Sequence, residues 1–172
     1  MRQGVEVAAG SEVFLGLDIS SKSWHVTARS GGETLLSASF PPRREALNGL
    51  LGRLKGCRVR SVYEAGPFGY GLHDWLRAQQ VDSMVVSPAH VPAEAGNRVK
   101  TDRRDGLKLA RTLEAGLLRP IYVLEARQRA DRELVRQRQR LHRDRCMAMV
   151  RLKSFFLTYG IEIPEEAGAH WS

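Results

Sequence analysis

The sequence predicts an α/β fold, a mixed sheet covered by helices, on three observations. The first forty residues hold three short apolar or alternating runs, at 13–18, 24–28 and 35–40, with Gly31-Gly32 between the last two. Beyond residue 43, segments with apolar residues at helical spacing alternate with short apolar runs. Past residue 125 comes a long stretch, to Tyr159, without a single Pro or Gly.

The first run, Val13-Phe14-Leu15-Gly16-Leu17-Asp18, ends on an acid. Trp24, Val26 and Ala28 alternate with polar neighbours, and the Gly-Gly pair is the chemistry of a tight hairpin turn. Pro41-Pro42 stops the third strand. Residues 43–55 read as a helix, with Ala46, Leu47, Leu50, Leu51 and Leu54 on one face. A buried strand at 59–63 also ends on an acid, Glu64. The glycine-rich run 65–71 reads as a turn into a helix carrying Leu72, Trp75 and Leu76. Met84-Val85-Val86 is a fifth strand, and 89–100 reads as a loop. Thr101 is placed to cap a helix running to about Ala115, with Leu107, Ala110 and Leu113 on its apolar face. Residues 120–124 read as extended. The order β-β-β-α-β-α-β-α, three antiparallel strands followed by βα units, is that of a mixed sheet. The remainder, 126–160, is polar nearly all round in its first half and reads as a projecting helical arm. Leu134, Leu141, Ala148 and Phe155 fall seven apart, although Arg138 and Arg145 interrupt a coiled-coil seam.

Composition narrows the function classes. The chain has 172 residues, 42% of them hydrophobic and 27% charged, a globular balance. No apolar run has the length of a membrane span, and the N-terminal residues lack a secretory pattern. Two cysteines, Cys57 and Cys146, make neither a disulfide framework nor a zinc site. The expectation is a reduced, cytoplasmic protein with no membrane partner. The net charge of +8 suggests a polyanionic partner. Between Arg127 and Arg145 eight arginines face three acids, a local net of +5. Guanidinium groups suit bidentate phosphate contacts, and Arg136, Arg138, Arg140 and Arg143 are the candidates for them.

Four acids carry the chemistry. Asp18 and Glu64 stand at the ends of two strands, and Asp102 and Asp105 share a helix face at i,i+3. If the strands are neighbours, these acids meet. Carboxylates about 4 Å apart repel by roughly 4 kcal/mol at an effective dielectric near 20. Hard divalent cations relieve that repulsion, and oxygen ligands without Cys or His select magnesium or manganese. Two such ions suit phosphodiester cleavage. Strand-end and first-turn acids also serve as turn and dipole partners, so spacing leaves both roles open. Lys100, Arg103, Arg104 and Lys108 flank the helical pair, as an approaching phosphate backbone requires; a solvated face of weak ion pairs has the same composition. The five histidines show no metal spacing and read as surface or partly buried. Trp24, Trp75 and Phe68 read as core.

Several of these stretches resemble one family. They are Gly16-Leu17-Asp18-Ile19-Ser20, Tyr63-Glu64-Ala65-Gly66-Pro67 with Gly69-Tyr70-Gly71-Leu72, and Arg98-Val99-Lys100-Thr101-Asp102-Arg103-Arg104-Asp105 with Leu107-Lys108-Leu109-Ala110-Arg111. Together they resemble the DEDD transposases of bacterial insertion sequences over about residues 13–171. The resemblance implies a RuvC-like, ribonuclease H-like nuclease domain over 12–125, with Asp18, Glu64, Asp102 and Asp105 as catalytic and metal-binding acids. It implies a coiled-coil-like arm over 126–160, and at 161–172 the start of a linker to a C-terminal serine domain outside the chain. It also implies DNA as partner, magnesium or manganese as cofactor, a guide RNA in some members, and a dimer or tetramer. Residues 16–23 also resemble a phosphate loop of sugar kinases and actin-like ATPases, which need a second such loop and domain. A DEDD exonuclease would add a late Tyr or His, for which Tyr159 and His170 lie beyond the arm. A metal-free nucleic-acid-binding module, with the acids as caps, is the third alternative.

Overall fold

Two hydrophobic clusters lie on opposite faces of one five-stranded sheet in a computed structural model that describes residues 7–92 and 102–162. The strands are β1 (Glu12–Ile19), β2 (Trp24–Ser30), β3 (Glu33–Phe40), β4 (Arg58–Glu64) and β5 (Asp82–Val86), in the order β3-β2-β1-β4-β5. β1 to β3 form an antiparallel meander, while β4 and β5 run parallel to β1. The β2–β3 turn is the expected glycine pair: Gly31 and Gly32 have φ of 57° and 84°, which side-chain-bearing residues adopt only with strain. The expected ribonuclease H-like α/β architecture is present.

Strand alternation sorts the core. Val13, Leu15 and Leu17 of β1 join Trp24, Val26 and Ala28 of β2 and Tyr63 of β4 on one face. Leu50 of α1 (Asn48–Arg53) and Leu72 and Leu76 of α2 (Gly71–Ala78) cover them. On the other face Phe14, Val62 and Val86 pack against Leu109 and Leu113 of α3 (Asp102–Glu114). The sheet is therefore helix-covered on both sides, and α3 packs on β1 and β4, the strands that carry Asp18 and Glu64.

One local expectation is corrected. The 43–55 segment is not one helix: a 3₁₀ turn over Arg44–Leu47 precedes the six-residue α1. Gly49 and Gly52 weaken helical propagation there, and burial of Leu47, Leu50 and Leu54 decides the local path. Residues 120–124 add no sixth strand, in keeping with the expected order; Pro120 forms an isolated antiparallel bridge with Val86, and the Ile121 N–H donates to the Val85 carbonyl at 2.8 Å. Within the loop at 89–100, Pro88–His90 form a 3₁₀ turn. Residues 93–101, including the expected cap Thr101, lie outside the described residues.

The C-terminal end of α3 is tied to the hairpin by charge. The buried Arg29 guanidinium donates through Nε to Glu114 Oε2 at 2.7 Å, to Thr34 Oγ1 at 3.1 Å and to the Gly32 carbonyl. The Gly32 N–H donates to the other Glu114 oxygen at 2.7 Å. Burial by itself raises the Glu114 carboxyl, but the Gly32 N–H and Arg29 outweigh it and hold it below its ordinary value of 4.5. A lowered folded value contributes stability that is complete above the ordinary carboxylate range and fades as pH falls through the folded value. Glu114→Gln is thus expected to cost about 1.5–3 kcal/mol at neutral pH, as for a hydrogen bond to a charged group. The difference from wild type should shrink on acidification below 4.5, read by urea melts at several pH values; a pH-independent difference would refute the charge pairing.

The chain divides into two compact units, 1–123 and 124–172. In the second, α4 (Ala126–Tyr159) has 34 residues, about 51 Å at 1.5 Å per residue. Its start is fixed by the Glu125 N–H donating to Gln128 Oε1 at 3.1 Å. Gly160, at φ 63°, ends it with the Ile161 N–H returning to the Phe156 carbonyl at 2.9 Å. None of its residues is buried, and Leu134, Leu141 and Phe155 are all exposed. No described helix is long and apolar enough to cross a membrane.

Candidate functional site

β1 and β4 are adjacent and parallel, with Leu17 opposite Tyr63 as the last paired residues. Asp18 and Glu64 each follow that pair by one position, so both acids leave the same end of neighbouring strands on the α3 face. Asp18 shares the side of Phe14 and Gly16, and Glu64 that of Val62. The third acid arrives with α3. A Cβ on Gly16 would overlap the Gly106 carbonyl oxygen and the Ala110 nitrogen and reach within 3.0 Å of the Ala110 Cα. Only hydrogen at Gly16 lets helix backbone lie directly on strand backbone, and this close approach sets Asp105, the neighbour of Gly106, over the strand ends.

The result is a cleft of about 420 Å³ lined by Asp18, Glu64, Asp105 and Lys108, with Leu109 and the 65–68 turn also lining it. Asp18, Glu64, Asp105 and Lys108 are all half-buried. Asp105 Oδ2 is buried and has no hydrogen-bond partner. An unsatisfied buried acceptor costs about 1–3 kcal/mol, and more if charged. A hard cation would satisfy it, so the donor set fits magnesium or manganese in its chemistry. Among the described residues, no three His, Cys, Asp or Glu side chains are grouped closely enough to hold an ion as they stand. The Asp102 side chain and Lys100 lie outside the described residues; the Asp102 backbone opens α3. Arg103 and Arg104 are exposed on its first turn.

A family model described as a transposase, of the IS110 DEDD type, matches residues 15–161. The chain belongs to that family. It is 38% identical over 142 residues to y4qE of Sinorhizobium fredii, a protein named as a transposase, covering 78% of the chain and 36% of that protein. It is 27% identical over 168 residues to y4rJ of the same organism, also named as a transposase, covering 87% and 42%. It is 26% identical over 159 residues to the transposase for insertion sequence element IS1533 of Leptospira borgpetersenii, covering 88% and 45%. The chain therefore spans less than half the length of these curated relatives.

Two expectations about side chains are corrected here. His25 and His73 are buried rather than superficial. His25 is the register partner of Asp18, and its ring nitrogens meet Ser39 Oγ at 3.1 Å and Ser37 Oγ at 2.9 Å; strand pairing, invisible in residue spacing, puts it there. Phe68 is not core: it is 45% exposed beside the cleft, whereas Trp24 is buried and Trp75 half-buried. Phe68 lies in the turn between β4 and α2, outside any helix or strand, so neither periodicity applied to it. Gly16 and Gly106 were missed as positioning residues. The only available signal was a glycine in the middle of an apolar strand, which marks a close backbone approach.

Arg136, Arg138, Arg140 and Arg143 of α4 are exposed as expected, and Arg129 is half-buried. Arg140 donates to Glu133 Oε1 at 3.1 Å and to Gln137 Oε1 at 3.2 Å.

Proposed function

We propose that residues 12–125 are the magnesium- or manganese-dependent nuclease domain of the transposase, cleaving or exchanging DNA phosphodiesters, with Asp18, Glu64, Asp102 and Asp105 as metal ligands. The observation that carries this reading is the buried, partnerless Asp105 Oδ2 in the cleft that Asp18 and Glu64 also line. A bound divalent cation supplies charge stabilisation at the phosphoryl oxygens and a more acidic attacking hydroxyl. The half-exposed Lys108 ammonium draws the phosphate towards the carboxylates, and Arg103 and Arg104 extend the basic approach along α3.

The test is thermal melting of the chain with and without millimolar magnesium or manganese. An ion that binds only the folded state adds about 2.7 kcal/mol at 100 times its dissociation constant. Asp18→Asn relieves repulsion while removing a ligand, so it should keep or raise the metal-free melting temperature and abolish the rise with metal. The measurement is repeated with a DNA duplex and with a structured RNA, to catch an ion that enters only with nucleic acid. A wild-type melt indifferent to both cations in all three conditions would leave a metal-free binding module as the reading.

The arm belongs to the same proposal. Its exposed arginines hold the phosphate backbone of DNA or of a guide RNA, and the exposed apolar residues Leu134, Leu141 and Phe155 join copies into a dimer or tetramer. Replacing Arg136, Arg138, Arg140 and Arg143 by Gln should weaken binding across sequences and flatten its salt dependence by roughly 0.7–0.9 per lost contact. Of the four, Arg140 should contribute least, since Glu133 already neutralises it. A filter-binding titration at several salt concentrations reads both; an unchanged slope would place the nucleic acid elsewhere.

A further inference from the structure

Phe68 is an aromatic side chain held out into solvent at the edge of a carboxylate cleft. The residue is 45% exposed, and it lines the same cavity as Asp18, Glu64, Asp105 and Lys108. The turn that presents it is pinned from beneath. The fully buried Tyr63 donates its hydroxyl to the Gly69 carbonyl at 3.2 Å, and the Gly69 N–H donates to the Gly66 carbonyl at 3.3 Å. Gly69 takes φ 65°, the left-handed conformation that lets the chain reverse immediately after Phe68. A fixed turn therefore keeps an apolar ring in water next to groups that otherwise attract only ions.

We infer that Phe68 is a base-stacking residue, and that the strand admitted to the cleft carries an unpaired nucleotide beside the phosphate at the carboxylates. This rests on the nuclease reading above. A base within a duplex has both faces covered by its neighbours, so a single ring at a cleft edge gains a stacking partner only from a base that has left the stack. The preferred substrate class is accordingly DNA with a bulge, flap or single-stranded junction at the cleaved phosphate. Lys108 accounts for attraction to any phosphate; Phe68 adds discrimination for the unpaired base.

Binding is measured on two DNA duplexes, one with a single bulged 2-aminopurine and one fully paired, with calcium in place of magnesium so that complexes persist. The wild-type chain should quench the bulged fluorophore and bind that duplex more tightly. Phe68→Ala should lose the quenching and about 10- to 100-fold in affinity for the bulged duplex, the range of one base–aromatic stack, with little change on the paired one. Phe68→Trp should restore both, and Phe68→Leu, apolar but without a π-face, should not. Equal losses on both duplexes, or wild-type quenching by Phe68→Ala, would overturn the inference. If the cation-dependent melting shift persists beside either result, the nuclease reading stands and only the stacking role fails. If wild type shows neither that shift nor cation-dependent binding, both fall together. Phe68 is exposed, so an unchanged melting temperature in each variant confirms that folding is intact.

Discussion

Gly16→Ala is expected to melt far below the wild-type chain, while Gly106→Ala changes stability little. The two glycines face each other across the contact of β1 with α3, but their surroundings differ. A Cβ at Gly16 meets helix backbone, the Gly106 carbonyl and Ala110, which move only if α3 moves. A Cβ at Gly106 meets His25 Cδ2 and Thr27 Oγ1, each at 3.3 Å, side-chain atoms that can yield by a few tenths of an ångström. Overpacking typically costs about 1–3 kcal/mol and more where backbone must shift, so Gly16→Ala should lose roughly 3 kcal/mol, a drop on the order of 10 °C for a domain of this size. At Gly106 the strain is offset by about 1 kcal/mol of helix propensity gained on replacing Gly by Ala. Calorimetric melts of the two variants decide the matter. Equal losses would mean that α3 does not lie on β1 as closely as described.

The second large effect is on chemistry without loss of fold. Asp105→Asn removes a proposed metal ligand and replaces a buried carboxylate oxygen with a neutral amide. Cation-dependent cleavage of DNA, assayed in the assembly that cleaves, should fall by roughly 10²- to 10⁴-fold. That is the several kcal/mol a metal contributes, at 1.36 kcal/mol per tenfold. The metal-free melting temperature should stay level or rise, because an uncompensated buried charge is gone. The contrast with Gly16→Ala is the useful part, since displacing α3 carries Asp105 away from Asp18 and Glu64 and so removes stability and activity together. Should Asp105→Asn cleave normally, Asp105 is a helix-start acid and no ligand.

Much of this chain was open to reading in its residues because the governing physics is local. Alternation in 24–28, a Gly-Gly turn, and leucines at helical spacing in α2 and α3 depend on neighbours within a few positions. The strand-end acids Asp18 and Glu64 belong to the same class, since each simply follows its own apolar run. The i,i+3 pair Asp102 and Asp105 shares a helix face for geometric reasons that need no partner element. A family resemblance carried by Gly16–Ser20, Tyr63–Pro67 and the stretch around Asp102 and Asp105 then connected them, and the family match over residues 15–161 agrees with it.

What the fold alone decided is contact between segments remote in the chain. Gly16 and Gly106 touch because a helix formed late in the sequence lies against the first strand, and no period of 2 or 3.6 encodes that. Burial of His25 between Ser37 and Ser39 follows from the register of β2 on β3, where a one-residue slip would have reversed every side chain. The break of the 43–55 segment into a 3₁₀ turn and a short helix follows from which leucines the sheet could accept. Phe68 shows the same limit from the other side: its apolarity predicted burial, yet the Tyr63–Gly69 bond fixes a turn that leaves it exposed at the edge of the cleft. Residue type and spacing determined the elements and the acids they carry; the packing of strand and helix backbone determined that three of those acids share one cavity with an aromatic edge, because proximity across the sheet is a property of the folded chain and not of any window of its sequence.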